Sequence, residues 1–469
     1  MNNIITETDS YKFGCHWNAY PKGTTGVYSY FECRNGAKWN KSLFFGLQYI
    51  LKRHLEGVVV TKEKIEKAAT RAKYHLGSEE FFNRAGWTHI LEAHGGKLPV
   101  RIKAVPEGSV IPVSNVLLTI ENTDEKCHWL TGHLETILSR IWYPITVGTL
   151  SRETKDMIKL YLDKTADSLA GLDFMLHDFG YRSASSEESA CIGGSANLVN
   201  FLGTDTMGAM DLLEDFYNAS PEGLAFSVPA SEHSIMTSLG EDGEHKVLED
   251  LLDKYPNGIL SIVADSYNIY NFVSKFVGEV YREKILSRPD GSVFVVRPDS
   301  VTPTHPTPEE EMLWIVSELY NKIGGTVNTK GYKLINPKVK VLWGDGINKN
   351  GIKAVLDILT ENGYSTDNCA TFGQGSAILT KVNRDDMRCA FKSSAQKRNG
   401  IWYDISKNPL DVSKKSKTGR LKLVKEAGTY MTVPESDSRE DELQLVFENG
   451  VIVKQQSFAE IRAAAKSFQ

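Results

Sequence analysis

The 469-residue chain is poor in the features that would place it in several broad classes. Its six cysteines (15, 33, 127, 191, 369 and 389) are scattered, and none belongs to a C-x-x-C pair. In so long a chain they read as reduced thiols of a cytoplasmic protein, not as a disulfide framework or a zinc site. No apolar run approaches the ~20 residues that span a bilayer, so no membrane association is expected. The opening "MNNIITETDSYKFG" has no basic region followed by an apolar core, which argues against a secretory signal peptide. Positive charge is not in excess either. Lys and Arg total 54 against 59 Asp and Glu, a net charge of −5. That balance offers no general basic surface for nucleic acid. There is no H-E-x-x-H, and no serine elbow accompanies the histidine discussed below. What remains is ordinary: 41% hydrophobic and 24% charged residues, a composition that excludes disordered and fibrous chains.

The length suits two or three domains. The first third is mixed. "GVYSYFECR" (26–34) alternates like a strand, and "TKEKIEKAATRAKYHLG" (61–77) has a Thr cap, a charged first turn and a terminal Gly. "LPVRIKAVPEGSVIPVSNVLLTIENT" (98–123) reads as strands joined by Pro/Gly turns. A long helix over 149–167 leads to a Gly-containing joint near 168–172. Beyond it, apolar runs alternate with helical stretches: 173–180, 199–205, 224–234, 259–266, 293–300, 339–346, 369–376 and 389–394. Strand–helix alternation predicts a parallel sheet, and eight units predict a (β/α) barrel, with an open doubly wound sheet as the alternative. The tail after 395 returns to mixed β structure. The expected architecture is therefore α/β: a barrel domain (171–394) plus a discontinuous mixed α+β domain built from 1–170 and 395–469.

Nearly every run in the central region ends in a functional group. In a barrel those ends share one face, where active sites sit. Phe179, Asp205, His233, Asp265, Arg297, Asp299, Asp345 and Gly375 are thereby brought into one candidate set. "WGDG" (343–346) and "GQGS" (373–376) each precede a helix, a context in which glycines let backbone N–H groups approach an anion. They are equally readable as tight turns. "RPDS" (297–300) pairs a guanidinium suited to phosphate with a carboxylate suited to a ribose hydroxyl or a metal; a self-satisfied ion pair is the plain alternative. His233 in "PASEHS" could bond a phosphate, move a proton or be phosphorylated. Asp205 could accept from a ligand amide and would repel a ligand carboxylate; it could also cap the following helix.

The motifs "TDSYK" (8–12), "VYSYFECR" (27–34), "WYPITV" (142–147), "LHDFGYR" (176–182), "NFLGTDT" (200–206), "SVPASEHS" (227–234), "RPDS" (297–300), "GDG" (344–346) and "SKTGRL" (416–421) stand in an order that closely resembles the nicotinamide phosphoribosyltransferase family, over essentially the whole chain. The resemblance implies synthesis of nicotinamide mononucleotide and diphosphate from nicotinamide and phosphoribosyl diphosphate with Mg²⁺. It also implies assistance by ATP through a phosphohistidine, and a homodimer with the active site at the subunit interface. By the same resemblance, Phe179 is one wall of the nicotinamide slot and Tyr11, from the partner subunit, the other. Arg182 holds phosphate, Asp205 accepts the carboxamide N–H₂, and Ser227 lies near that amide. His233 matches the phosphorylated histidine, and with Arg297 and Asp299 makes up the implied catalytic set. Arg297, Pro298 and Asp299 contact the ring region and ribose. Gly344, Asp345, Gly375, Ser376 and Arg384 match the nucleotide ribose and phosphate site. Arg34, Lys392, Lys407, Lys414 and Lys415 match cations around the phosphates. No protein residue is implied as a direct metal ligand.

The chain departs from the family at Asn268, where an Asp is usual, at Ala264, where Ser is usual, and at Ser376, where Gly is usual. The Asp is associated with phosphorylation of the histidine, and Asn accepts no proton at neutral pH. Three other readings compete. A nicotinate-using transferase would set a substrate carboxylate against Asp205. A non-catalytic binding protein would keep the fold without the chemistry. A sugar-phosphate aldolase or isomerase would need a Schiff-base lysine, for which only Lys392 is a candidate.

Overall fold

The structure, a computed structural model, describes residues 3–407 and 416–467. It divides into two compact units. One comprises Met1–Thr149, Leu212–Ala219 and Val382–Gln469; the other comprises Leu150–Asp211 and Ser220–Lys381. The expected joint at 168–172 is thus inside the second unit. The long helix Trp142–Thr165 carries the first division, near its N-terminal end.

The second unit is built on a parallel sheet of six strands. Their spatial order is Gly203–Thr204, Leu176–Asp178, Cys369–Gln374, Val339–Trp343, Val293–Arg297, Ile259–Val263. The Val293–Arg297 strand shows why these runs are continuously apolar rather than alternating. Phe294, Val295 and Val296 are all buried, because both faces of a parallel sheet are covered. Segment 226–230 ties the two edges of the curled sheet through single bridges, Gly203 to Phe226 and Ala230 to Ser261. It forms no regular strand. Pro229 has no N–H for a ladder, although its carbonyl accepts from Ser261 N at 3.0 Å.

The flanking helices follow from their sequences. Pro308–Ile323 has Thr307 as its cap, Pro308 in its first turn, three acids after it, and Gly324 at its end. Lys349–Glu361 buries Ile352, Val355, Leu356 and Leu359, an i, i+3, i+4, i+7 stripe.

The first unit carries a seven-stranded antiparallel sheet. The order is Ile401–Asp404, Ala390–Arg398, Thr24–Glu32, Val116–Asn122, Val100–Ala104, Gln444–Glu448, Val451–Ile452. N- and C-terminal segments therefore share one sheet, giving the discontinuous α+β unit expected from the sequence. One expectation fails. The run 389–394 is not an eighth barrel strand; it opens the Ala390–Arg398 strand, which pairs antiparallel with Thr24–Glu32. Its nine residues and its neighbours on both sides satisfy it in this sheet instead. The 224–234 run likewise contributes bridges and no full strand.

Candidate active site

Because the six strands run parallel, their C-terminal ends lie on one face of the second unit. Phe179, Arg182, Asp205, His233, Arg297, Asp299, Gly344, Asp345, Gly375 and Ser376 line a single cleft there, of about 810 Å³. Residues far apart in the chain are thus gathered by the strand order alone.

Phe179 follows the Leu176–Asp178 strand, and its N–H is held by the Gln374 carbonyl at 2.9 Å. Its ring fits because residue 373 is glycine: a Cβ there would come within 2.1 Å of the ring. The Arg297 guanidinium sits over the ring, 4.9 Å from its centroid. The aromatic face is therefore a platform that already accepts a flat, electron-poor group.

Asp205 lies in the same cleft. Its Oδ1 accepts from His177 Nε2 and from Ser227 Oγ, each at 2.8 Å. Burial works against its charge, but these two donors, with Arg297 nearby, hold the carboxyl below its ordinary range. Both bonds go to Oδ1, so Oδ2 is the oxygen left for a ligand. The helix-cap alternative is not what the carboxylate does. The sequence reading does not single out His177. It stands two positions before Phe179, on the strand that Phe179 follows, so the alternation along that run is the available signal. Its ring is 5.0 Å from that of Phe179, and Gly203 leaves room for it, since a Cβ there would lie 2.7 Å from His177 Nδ1.

The small residues after Arg182 now have a structural reason. Helix Glu187–Leu198 is buried from Ala190 to Leu198. A Cβ on Gly194 would come within 2.9 Å of Ala209 and 3.1 Å of Asp178 Oδ2. Asp178 is fully buried, its Oδ1 accepting from Gly180 N at 2.7 Å, and burial pushes its carboxyl up. Lost side-chain bulk therefore lets the helix close behind the platform.

His233 opens a short helix and is half-exposed to the cleft. Its Nδ1 is 3.2 Å from Ser266 Oγ; its Nε2 is 3.5 Å from Asp299 Oδ2 and 4.0 Å from Asp265 Oδ1. Asp299 Oδ1 pairs with Arg297 at 3.2 Å, so the self-paired alternative for "RPDS" is present. It does not exhaust the pair: Arg297 Nε is buried without a hydrogen-bond partner. Gly344 makes space for both, as a Cβ there would stand 2.8 Å from Arg297 Nε and 3.0 Å from Asp299 Oδ1. Asp345 completes a group of three carboxylates. Burial, then the charges of Asp299 and Asp265, raise its carboxyl above the usual range. Asp265 Oδ1 is itself buried with no hydrogen-bond partner. An orphaned carboxylate oxygen among three acids fits a hard divalent cation such as Mg²⁺.

The two glycine loops differ. After "WGDG" the helix begins only at Lys349, and Asn348 already accepts from Asn350 N and Gly351 N. Its first turn is therefore capped by the chain itself. "GQGS" runs directly into the four-residue helix Ser376–Leu379. Asn268 uses its Oδ1 to accept from Asn271 N at 3.0 Å.

The remaining predicted residues belong to the first unit. Tyr11 is exposed, with Lys12 over its ring at 5.7 Å. Arg34, Arg384 and Lys392 line a second, smaller cavity of about 270 Å³. Arg34 Nε lies 3.4 Å from Glu32, yet that nitrogen and one terminal nitrogen have no hydrogen-bond partner. Burial, and then the charges of Arg34, Lys407 and Arg384, pull the Lys392 ammonium below its ordinary range, with Glu135 opposing them. Lys414 and Lys415 lie outside the described residues.

A curled parallel sheet in one unit and a seven-stranded antiparallel sheet in the other define a fold with solved members. The nicotinate-nucleotide pyrophosphorylase of Pyrococcus furiosus shares it at TM-score 0.62 and 16% identity, over 99% of this chain and 95% of that one. Human nicotinic acid phosphoribosyltransferase shares it at 0.56 and 14%, over 95% and 89%. Residues 3–102 match the family model described as nicotinamide phosphoribosyltransferase, N-terminal domain, and 174–451 match that of the nicotinate phosphoribosyltransferase (NAPRTase) family. Among curated proteins, nicotinamide phosphoribosyltransferase of Xanthomonas campestris pv. campestris is 41% identical over 99% of this chain and 98% of its own length. That of Acinetobacter baylyi is 31% identical over 98% and 96%. The chain belongs to the nicotinamide phosphoribosyltransferase family.

Proposed function

We propose that this chain is a pentosyltransferase of NAD salvage, making nicotinamide mononucleotide and diphosphate from nicotinamide and phosphoribosyl diphosphate. The observation that carries the reading is the state of Asp205. Its carboxylate is kept charged, with Oδ2 left for a ligand, in the cleft that holds the aromatic platform. A charged carboxylate accepts from a carboxamide N–H₂ and repels a nicotinate carboxylate. The nicotinate-using alternative would need Asp205 to be protonated, whereas His177 and Ser227 favour its ionised form.

The reaction forms a bond from the pyridine nitrogen to the ribose C1 and breaks the bond from C1 to the diphosphate oxygen. Positive charge builds on the sugar ring and negative charge on the departing diphosphate. Phe179 fixes the pyridine plane, and Asp205 fixes its rotation, so the nitrogen is presented for attack. Pro298 holds Arg297 and Asp299 at the ribose end of the cleft, where Asp299 supports the developing positive charge and Arg297 the negative. Mg²⁺ bound with the diphosphate would neutralise its departing charge, and Asp265, Asp299 and Asp345 are the carboxylates that fit it. Arg182, Gly344, Gly375 and Ser376 serve the 5′-phosphate end.

The auxiliary step is phosphorylation of His233 by ATP: a bond from imidazole nitrogen to the γ-phosphorus forms as the β–γ oxygen bond breaks, and ADP leaves. Asp265 and Asp299 are the carboxylates near enough to orient the ring and take its proton, a task that Asn268 does not perform. We infer a homodimer in which Tyr11 of the partner subunit closes the nicotinamide slot. Arg34, Arg384, Lys392 and Lys407 serve phosphate groups, with Lys414 and Lys415 assigned to the same task.

Diphosphate release from phosphoribosyl diphosphate and Mg²⁺, with and without ATP, tests the scheme. Release is expected with nicotinamide alone and should rise with ATP, and the rise should vanish in His233→Ala. No release with any pyridine substrate would move the chain to the binding-protein alternative.

A further inference from the structure

Away from the cleft, the first unit brings together a set of donors to which the reaction assigns no part. His89 lies on helix Arg84–Ala93, and His94 is the residue that ends it. Asp124 precedes the turn Glu125–Cys127. Both imidazoles direct Nε2 at the same oxygen, Asp124 Oδ2, each at 2.7 Å. Donor atoms of His89, Asp124 and Cys127 all lie within 4.8 Å of one another. We propose that His89, His94, Asp124 and Cys127 form a structural site for a divalent transition-metal ion of the zinc class.

The donor set carries the assignment. Two imidazoles, one carboxylate and one thiol are the ligand types of tetrahedral zinc, whereas Mg²⁺ and Ca²⁺ select oxygen. Donors about 2.0–2.3 Å from a tetrahedral ion stand roughly 3.3–3.8 Å apart. Binding would require the side chains to rotate, opening the two N···O contacts and drawing in the thiol, with His94 joining through its contact to Asp124. The carboxylate is already aimed. Asp124 Oδ1 is occupied by Lys126 N at 2.8 Å, and the Asp124 carbonyl by Asn122 Nδ2 at 2.8 Å, which leaves Oδ2 for the site. The helix and the turn are fixed to each other near the donors, where Trp87 packs on Trp129 with ring centroids 4.8 Å apart. Cys127 is fully buried, while His89, His94 and Asp124 are each about a quarter exposed, which leaves an entry path from solvent. On binding, each neutral ring gives its Nε2 lone pair and carries its proton on Nδ1; the thiol binds as thiolate and releases one proton to water.

No motif spacing announces this site, because its ligands come from a helix end and a turn some thirty residues apart. Its ion would pin the helix to the loop that follows strand Val116–Asn122, and would leave the transfer chemistry alone.

Cobalt(II) is the probe. The full chain, stripped with a chelator and dialysed, is titrated with Co²⁺ and followed by absorption. The expected result is one Co²⁺ per chain, with the visible bands of a tetrahedral ion and a thiolate-to-metal band in the near ultraviolet. Cys127→Ser should lose the ultraviolet band and bind at least about tenfold more weakly, with its circular dichroism and its rate of diphosphate release unchanged. If Cys127→Ser fails to fold, His94→Gln takes its place and should weaken binding to the same degree. Absence of stoichiometric binding, or a spectrum and affinity unchanged in both variants, would overturn the proposal.

Discussion

The two units handle charge in opposite ways. In the parallel-sheet cleft, acids are individually provided for: Asp205 has His177 and Ser227, and Asp299 has Arg297. Among the described residues, Asp265 of the three-acid group keeps a buried oxygen with no hydrogen-bond partner. In the antiparallel unit the cavity holds Arg34, Arg384 and Lys392 close enough that the two guanidinium groups help depress the Lys392 ammonium, and Arg34 keeps nitrogens without a hydrogen-bond partner. Carboxylates outnumber Arg and Lys around the first, and Arg and Lys outnumber carboxylates around the second. A net charge of −5 hides this sorting, because a sum over the chain averages two sites of opposite sign.

The sharpest way to break the contrast is at Arg297, the cation over the aromatic platform. Arg297→Ala should lower kcat/KM by about 10²–10³-fold, the usual loss for a group that meets developing charge. A loss confined to KM, with kcat intact, would demote it to a binding role. Next in size is Gly373→Ala. The added methyl takes space that the Phe179 ring holds, so the ring must swing away. The nicotinamide KM should rise about tenfold or more while the melting temperature stays close to wild type, read by steady-state kinetics and calorimetry. On the basic side, Lys392→Met should raise the KM for phosphoribosyl diphosphate by about tenfold and flatten its dependence on salt, with the nicotinamide KM little changed.

A fourth prediction contrasts an exposed acid with a buried one. Asp205 is held down by its donors, whereas Glu107 of the first unit is pushed up to about 7 by burial, despite bonds from Gly46 N, Gln48 N and Tyr217. The folded state keeps the Glu107 proton after the unfolded chain has lost it. Its contribution is therefore whole below the ordinary value of 4.5 and is lost as pH rises through about 7. Glu107→Gln should remove that part of the slope, on the order of 3 kcal/mol across the window. Denaturant titrations at acid, intermediate and mildly alkaline pH would read it, and an unchanged slope would count against a buried, protonated Glu107.

How much of this was legible in the sequence depended on whether function and periodicity coincided. Strand ends were legible because a parallel sheet sets a polar group after each apolar run, as at Asp205, Arg297 and Asp345. His177 was hidden because it sits inside a run, where a polar residue reads as a strand interior. The 389–394 segment was misplaced because apolar content does not say which sheet a strand joins. The division at 212–219 was invisible for a related reason: helix Met207–Tyr217 begins in one unit and ends in the other, with no break in its pattern. The helix after "WGDG" starts three residues beyond the loop, at Lys349 with Asn348 as its cap, a spacing that the glycines do not announce.

The central claim is that a charged Asp205 selects an amide. The direct measurement is kcat/KM for nicotinamide against nicotinate, with phosphoribosyl diphosphate and Mg²⁺, in wild type and in Asp205→Asn. The account predicts a preference for nicotinamide of at least about 10²-fold in wild type, and a collapse of that ratio in the variant. Equal or better use of nicotinate by the wild-type enzyme would contradict it.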